Sequence, residues 1–396
     1  MWGIGGGAGC GHAGGVAFEF ATASRIVFGT GRAAELPAIV SGLGSRVLVC
    51  TGGSVARHDR LLAGLGEAAA VFAVREEPTV ELVRAGVASA RRHAADVVAA
   101  IGGGAVIDAG KAIAMLLGNG GDPLDYLEVI GAGQEIARPS APLVAVPTTA
   151  GTGAEVTANA VLASAGHGLK ASLRSPLMLP RVALIDPRLT VSCPPAVTAA
   201  SGLDALTQCL EPLVSVTANP VTDGLAAEGL HHAAAGLRAA CADGQNLAAR
   251  TDMAICALLG GLSLANAKLG AVHGLAGVVG GMAPVPHGMA CAALLAPVTE
   301  ANVRALRSGP PGHPALGKYA RAAQILAGDP AAVVEDGLAW IRETVRLLDV
   351  PQLGAFGIGP QQADEIAAKA ARSSSMQGNP VSLSDDELRA IVMAAL

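Results

Sequence analysis

The sequence predicts an α/β N-terminal domain followed by an all-α C-terminal domain. In the first half of the 396-residue chain, short β-branched runs alternate with Ala-rich helical stretches. This alternation is typical of a mostly parallel sheet with both faces covered. After Asp186-Pro187, apolar residues recur only at helical spacing. The length is also that of roughly two domains of ~100–200 residues each.

The N-terminal domain is predicted over residues 16–190, after a flexible, glycine-rich leader over residues 1–15. Five apolar runs are predicted as strands: 46–50, 70–74, 96–101, 142–146 and 182–185. Helices are expected near 59–69 and over 79–93, where apolar residues recur three and four apart. A further helix opens after the glycines that follow Ile101.

The C-terminal domain is predicted over residues 191–396 and contains helices only. The predicted helices are 195–214, 220–241, 247–264, 289–305, 319–327, 330–348, 361–372 and 384–396. Ser384 followed by three acidic residues is a typical helix start, because its hydroxyl caps N–H groups and acids favour the positive end of the dipole. Residues 373–380 are predicted as a loop before the last helix.

The composition excludes several classes of function. With a formal net charge of -5, 15% charged and 2% aromatic residues, the chain has no basic tract or stacking platform for nucleic acid. Seven scattered cysteines without a CxxC pair predict reduced thiols. The N-terminus does not resemble a signal peptide. The apolar run 253–286 contains Asn266, Lys268 and His273, so we expect two buried helices and no membrane span in a cytoplasmic protein.

Two glycine-containing loops follow predicted strands and indicate a nucleotide site. Residues 101–111 read IGGGAVIDAGK, and residues 147–157 read PTTAGTGAEVT. Glycines let the backbone approach a pyrophosphate, while a helix N-terminus supplies N–H donors. Loops at neighbouring strand ends form the crevice in which open α/β sheets bind ligands.

These motifs, GGGxxxDxxK and PTTAGTGxExT, resemble the iron-containing (group III) alcohol dehydrogenase family of the dehydroquinate synthase-like superfamily. The resemblance extends from about Arg25 to the C-terminus and includes LPRVALIDP, GLDAL and PHG segments. It implies a Rossmann-like N-terminal domain that binds a nicotinamide dinucleotide. The residues that it places near the cofactor are Gly103, Gly104, Ala105, Asp108, Thr148, Thr149, Thr152 and Lys170.

The loop after the second predicted strand bears on the choice of dinucleotide. A carboxylate here would bond the ribose 2′-hydroxyl and repel a 2′-phosphate. Gly52, Gly53 and Ser54 offer donors and no negative charge. This resembles the NADP-using aldehyde reductases of the family, so NADP(H) is favoured and NAD(H) remains the alternative.

The resemblance also implies a metal in the cleft between the domains. The family's ligands are an Asp and a His four residues apart and two His fourteen apart; this chain keeps Asp204, His273 and His287 but carries Gln208. An amide oxygen suits Fe²⁺ or Zn²⁺ less well than imidazole. Three protein ligands nevertheless suffice for a catalytic metal. Gly277 replaces a second family histidine, which leaves the proton route unassigned.

The implied activity is reversible hydride transfer between NAD(P)(H) and a small alcohol or aldehyde, in a homodimer or larger homo-oligomer. Small apolar residues after His273, namely Leu275, Ala276, Val278 and Val279, are expected to line the cleft. One alternative is a metal-independent maleylacetate reductase-like enzyme. Others are a dehydroquinate synthase-like lyase and a non-catalytic nucleotide-binding homologue, the last suggested by Gln208 and Gly277.

Overall fold

The computed structural model describes residues 17–164 and 169–396, so the predicted leader and Cys10 lie outside the described residues. The strands are β1 Arg25–Phe28, β2 Val47–Gly52, β3 Ala69–Val74, β4 Val97–Gly102, β5 Leu143–Pro147, β6 Asn159–Ser164, β7 Leu169–Arg174 and β8 Val182–Ile185. The first five helices are α1 Leu36–Ser41, α2 Asp59–Ala63, α3 Val80–His93, α4 Gly104–Asn119 and α5 Pro123–Tyr126.

Nine further helices form the C-terminal part. They are α6 Pro195–Val214, α7 Pro220–Ala242, α8 Leu247–Ala267, α9 Ala271–Met282, α10 His287–Ser308, α11 Pro314–Ala327, α12 Val334–Leu347, α13 Ala363–Ala370 and α14 Asp385–Ala394. The predicted division into an α/β part followed by a mostly helical part is therefore confirmed. The predicted cap of α14 is also confirmed, because Ser384 Oγ accepts from the Glu387 N–H.

Six parallel strands form the main sheet in the order β1-β8-β5-β4-β2-β3. From β2 the chain runs outward to β3 and then crosses to β4 on the other side of β2. The strand order therefore reverses between β2 and β4, where open α/β sheets bind ligands. The carboxyl ends of β2, β4 and β5 lie side by side at this point.

Both faces of the sheet are covered, as parallel strands require. Side chains such as Leu48 and Val98 pack against α3 and α4. The alternate side chains, such as Val49 and Ala99, pack against α1. Strands β6 and β7, which were not predicted, form an antiparallel hairpin whose apolar side chains join the α4 side of the core.

Several predicted helix ends differ from the structure. The helix expected over 59–69 ends at Ala63, because Gly64 and Gly66 interrupt it. Helix α10 begins at His287, two residues earlier than expected, after the N-cap Pro286. Helix α11 begins at Pro314, since proline fits the first helical turn. The early start of α10 matters because it places His287 in the helix.

The apolar run 253–286 forms most of α8 and α9, in agreement with the expected two helices. Helix α8 is long and apolar enough to cross a membrane by length and composition alone, but 61% of its most apolar window is buried. It packs against α6 and α7 in the helical core. This is the packing of a core helix in a globular protein.

Candidate active site

The two glycine-containing loops adjoin at the ends of β4 and β5. The Thr148 N–H donates to the Gly102 carbonyl at 3.0 Å. A Cβ on Gly104 would lie 2.7 Å from Thr152 Cγ2, and one on Gly103 would lie 3.3 Å from Thr149 Oγ1. The structure thus brings the predicted cofactor residues of both loops together. No side chain caps α4 at Gly103, so the N–H groups at the very start of the helix can donate to an anion, while the Val106 N–H donates to the Gly103 carbonyl.

Gly52, Gly53 and Ser54 lie at the end of β2, beside these loops. The exposed Arg75 follows β3, and a Cβ on Gly53 would lie 3.5 Å from Arg75 Cγ. Within residues 17–164 and 169–396, Arg75 has no carboxylate within ion-pair distance. The loop after β2 therefore has no acidic side chain at Gly52, Gly53 or Ser54, and the guanidinium of Arg75 lies beside it. Sequence reasoning did not identify Arg75.

Asp108 and Lys170 both contact residues outside the glycine loops. Asp108 Oδ2 accepts from the Val161 N–H of β6 at 3.0 Å. Burial raises the pKa of Asp108 to about 6, and His287 is among the charges that act against this rise. Lys170 on β7 forms an ion pair with Glu77. The hairpin therefore contacts Asp108 through β6 and carries Lys170 on β7.

The predicted metal residues converge from three helices. Asp204 and Gln208 lie one turn apart on α6, while His273 is on α9 and His287 begins α10. Asp204 Oδ1 lies 3.3 Å from His273 Nε2 and 3.9 Å from His287 Nε2. Asp204 and His273 are buried, whereas the His287 side chain is 42% exposed. The site is therefore closed at its base and open at His287.

The buried polar atoms of this group fit a bound cation. Among the described residues, Asp204 Oδ1, Gln208 Oε1 and His273 Nε2 are buried without a hydrogen-bond partner. Three unsatisfied lone-pair atoms in one place are costly unless something positive completes them. The donor set of carboxylate, imidazole and amide oxygen is one that divalent metals accept.

Glu211 orients His273 and was missed by sequence reasoning. Its Oε2 accepts from His273 Nδ1 at 2.6 Å, while its Oε1 accepts from the Val272 N–H at 2.7 Å. The contact at Nδ1 leaves Nε2 free to face Asp204, as in carboxylate–histidine–metal arrangements. Spacing could have identified Glu211, since Asp204, Gln208 and Glu211 recur at i, i+4 and i+7 on one helix face.

Cys291 is a further residue that sequence reasoning missed. It is buried on α10, four residues after His287, and its Sγ lies 3.7 Å from His287 Nε2. One ligand atom from each of Asp204, His273, His287 and Cys291 lies within 4.8 Å of the others. The i, i+4 spacing after His287 was the available signal. The six described cysteines are all free of disulfide bonds.

Charges within the group perturb its pKa values. The pKa of His287 is raised to about 9, chiefly by the interaction with Cys291, although burial acts in the opposite direction. Burial would raise the pKa of Asp204, but the neighbouring His273 and His287 outweigh it and lower the pKa. Asp204 and His287 therefore stabilise each other's charged forms.

Close helix packing holds the group together. A Cβ on Gly288 would lie only 2.3 Å from the Ala200 carbonyl oxygen of α6. Glycine therefore allows the start of α10 to approach α6, which brings His287 to Asp204. Gly151 of the second cofactor loop also packs closely on α6, since a Cβ there would lie 2.7 Å from Ser201 Cβ, one turn before Asp204. The cofactor loops and the metal residues are consequently neighbours.

The environment after His273 differs in part from the prediction. Leu275, Ala276 and Val279 are buried in the helical core and do not line the cleft, because they lie on the inner face of α9. Gly277 is exposed, and a Cβ there would meet nothing within 4 Å. The position of the missing family histidine is therefore an open space one turn beyond His273.

Comparison with known families agrees with this architecture. Residues 23–187 match the family described as iron-containing alcohol dehydrogenase. Residues 198–396 match the C-terminal domain of the Fe-containing alcohol dehydrogenase family. Together the two matches span almost all of the described chain.

Individual proteins and a solved structure are also similar to this chain over most of its length. The 1,3-propanediol dehydrogenase of Klebsiella pneumoniae is 34% identical over 350 residues, covering 87% of this chain and 87% of that protein. The choline dehydrogenase of Bacillus subtilis (strain 168) is 34% identical over 317 residues, covering 79% of this chain and 76% of that protein. A crystal structure of 1,3-propanediol oxidoreductase superposes with a TM-score of 0.89 at 32% identity, covering 96% of this chain and 100% of the other.

Proposed function

The chain belongs to the iron-containing alcohol dehydrogenase family, an oxidoreductase family acting on alcohols, and we propose that it interconverts a small aldehyde and alcohol with NADP(H). Asp204, His273 and His287 would hold Fe²⁺ or Zn²⁺, with Gln208 beside them. The observation that carries this proposal is the set of three buried, unpartnered polar atoms next to the cofactor loops.

The protein's own groups position the reactants. Glycines at the end of β4 and the first turn of α4 would bind the pyrophosphate through N–H groups. Glu211 holds His273 in one orientation, and the exposed side of His287 leaves an approach for substrate. When bound, the metal would polarise the carbonyl and the nicotinamide would exchange the hydride. The open space at Gly277 favours a substrate reaching the cleft beside His273.

The preference for NADP(H) rests on the end of β2. The family binds NAD(H), and a sulfoacetaldehyde reductase from Bifidobacterium kashiwanohense, 28% identical with a TM-score of 0.84 and covering 96% of this chain and 99% of that one, was solved in complex with NAD⁺. In this chain Gly52 supplies no carboxylate to repel a 2′-phosphate, and Arg75 adjoins Gly53. A guanidinium recognises phosphate well. These two features support NADP(H).

The proposal extends to the arrangement of the protein. We infer a domain division near residue 190, where the last strand of the sheet gives way to helices. We also propose a cytoplasmic homo-oligomer, a dimer or larger. Ile26 on the edge strand β1 is an exposed apolar side chain, which supports an interface there.

The first experiment measures metal content by elemental analysis, together with NADPH and NADH oxidation on an aldehyde panel before and after chelation. We expect about one metal ion per chain and activity that is lost on chelation and restored by metal. We expect G52D to favour NADH over NADPH, because its carboxylate repels the 2′-phosphate. G53A, which adds no charge, serves as its control.

Other outcomes would redirect the proposal. Full activity after complete metal removal would exclude the metal's role, and turnover of an unsaturated oxoacid under those conditions would favour the maleylacetate reductase-like alternative. Nucleotide binding without turnover on any alcohol or aldehyde would favour a non-catalytic homologue. Unchanged discrimination between NADPH and NADH in G52D would contradict the assignment of the β2 loop.

A further inference from the structure

Cys291 occupies a position from which its sulfur reaches the proposed metal. It lies one turn after His287 on α10, and successive turns place residues four apart on the same helix face. The side chain is fully buried, and its Sγ belongs to the compact group formed with Asp204, His273 and His287. This sulfur therefore lies at the base of the metal site, away from solvent.

Two of the distances between these atoms are those of ligands around one ion, and the distance between Asp204 Oδ1 and His287 Nε2 is longer, at 3.9 Å. In a tetrahedral Zn²⁺ site with bonds of ~2.0–2.1 Å to N or O and ~2.3 Å to S, N and O ligands lie about 3.3 Å apart and S and N about 3.6 Å apart. Here His273 Nε2 and Asp204 Oδ1 are 3.3 Å apart. His287 Nε2 and Cys291 Sγ are 3.7 Å apart.

Charge and ligand softness distinguish Cys291 from Gln208. The amide oxygen of Gln208 is neutral and hard, and it stands where the family has an imidazole. A thiolate and the Asp204 carboxylate would together neutralise a divalent ion bound with two neutral histidines. Sulfur and nitrogen donors are also those that structural and catalytic Zn²⁺ sites select.

We propose that Cys291 is a thiolate ligand that replaces the imidazole lost at position 208, and that the site consequently takes Zn²⁺ in preference to Fe²⁺. This inference rests on the proposed function, because it concerns the same metal site. Asp204, His273, His287 and Cys291 then form the protein ligands, and Gln208 lies beside the ion without being required for its retention. Substrate would approach on the exposed side of His287 and bind as a fifth ligand, an expansion that catalytic Zn²⁺ sites allow.

The test uses the full chain reconstituted with Co²⁺, which reports thiolate ligation by a charge-transfer absorption in the near ultraviolet. We expect this band in the wild type and in C241S, a matched cysteine change on α7 away from the site. We expect C291S and C291A to lose the band while retaining Co²⁺ and the far-ultraviolet circular dichroism of the wild type. Visible Co²⁺ bands and elemental analysis report bound metal separately.

Competition with a chelator tests the role of Cys291 through the affinity of the site for Zn²⁺. Loss of outer-shell partners of metal ligands alone typically costs ~10–100-fold, so C291S is expected to weaken Zn²⁺ binding by at least that much. Q208A is expected to weaken it less. Protein purified from cells grown with both metals should contain more zinc than iron.

The outcomes separate this inference from the proposed function. Wild-type protein with visible Co²⁺ bands but no thiolate band would overturn the role of Cys291 and leave a metal-dependent dehydrogenase intact. An unchanged band in both C291S and C291A would do the same. Wild-type protein that binds neither Co²⁺ nor Zn²⁺, yet reduces aldehydes with NADPH, would overturn the metal site altogether.

Discussion

Glu211 is not one of the four candidate metal ligands, but it fixes the orientation of one of them, His273. Its two oxygens contact His273 Nδ1 and the Val272 N–H, so both the ring and the start of α9 are held. The consequence is a histidine whose Nε2 faces Asp204 across 3.3 Å. Removing the charge of Glu211 should therefore act through His273 and not on the cofactor loops.

We predict that E211Q lowers Zn²⁺ affinity by ~10–100-fold, the range for loss of a carboxylate behind a ligating histidine. NADPH affinity should stay the same. Chelator competition and dinucleotide fluorescence measure the two quantities. E228Q is the matched control, since Glu228 also lies near a histidine, His232, but on α7 and 62% exposed. Equal metal affinity in both variants would show that Glu211 has only a structural role.

At the scale of elements, the second cofactor loop packs directly on α8. Gly153 has φ +60°, and a Cβ there would lie 2.4 Å from the Gly261 Cα. Val156 continues this contact through the cluster that includes Ala254 and Leu258. The loop that follows β5 is thus fixed by the helical part of the chain as well as by the sheet.

This packing predicts different costs for alanine substitutions at two glycines with nearly equal positive φ. Gly133 has φ +61°, but a Cβ there would meet nothing within 4 Å, so G133A should cost only the ~1–2 kcal/mol of a left-handed residue. G153A should cost roughly 1–3 kcal/mol more, because it also overpacks a backbone contact. Urea denaturation of both variants measures this, and equal losses would contradict the role of the contact.

At the scale of the whole molecule, the α/β part contains a buried charged group between α4 and the segment after the second cofactor loop. Lys111 Nζ is fully buried and donates to Thr157 Oγ1 at 2.7 Å and to the Asn159 carbonyl at 2.9 Å. Burial lowers the pKa of Lys111 to about 8 and raises the pKa of Glu155 to about 7. The free energy of unfolding therefore depends on pH through Lys111 and Glu155, which lie outside the candidate metal site.

We predict that the stability advantage of the wild type over E155Q falls as pH rises from about 5 to about 7.5. Between the ordinary pKa of 4.5 and the folded value of about 7, the folded state holds more protons than the unfolded state, so rising pH favours unfolding. The slope is at most ~1.4 kcal/mol per pH unit. Urea denaturation in chelator at several pH values measures it. An advantage that grows with pH would mean that Lys111 governs the carboxyl.

Part of the site follows from local pattern. The glycine loops could be found by local pattern, because strand-to-helix turns repeat over a few residues. The metal candidates Asp204, Gln208, His273 and His287 came from the resemblance to the family. The predicted wall of Leu275, Ala276 and Val279 was wrong because apolar character alone does not tell which face of α9 meets the core. The β6–β7 hairpin also escaped prediction, although its strands are adjacent in sequence.

Sequence pattern predicts the order of an α/β part and a helical part and most helix and strand positions, and the family resemblance adds the cofactor and metal candidates. The strand order, the contact of Arg75 with Gly53, and the positions of Glu211 and Cys291 beside the candidate metal ligands follow only from the folded structure. Glu211 meets His273 across 62 residues of chain, through packing of α6, α9 and α10. Such contacts depend on close approaches like that of Gly288 to Ala200, which local periodicity does not encode.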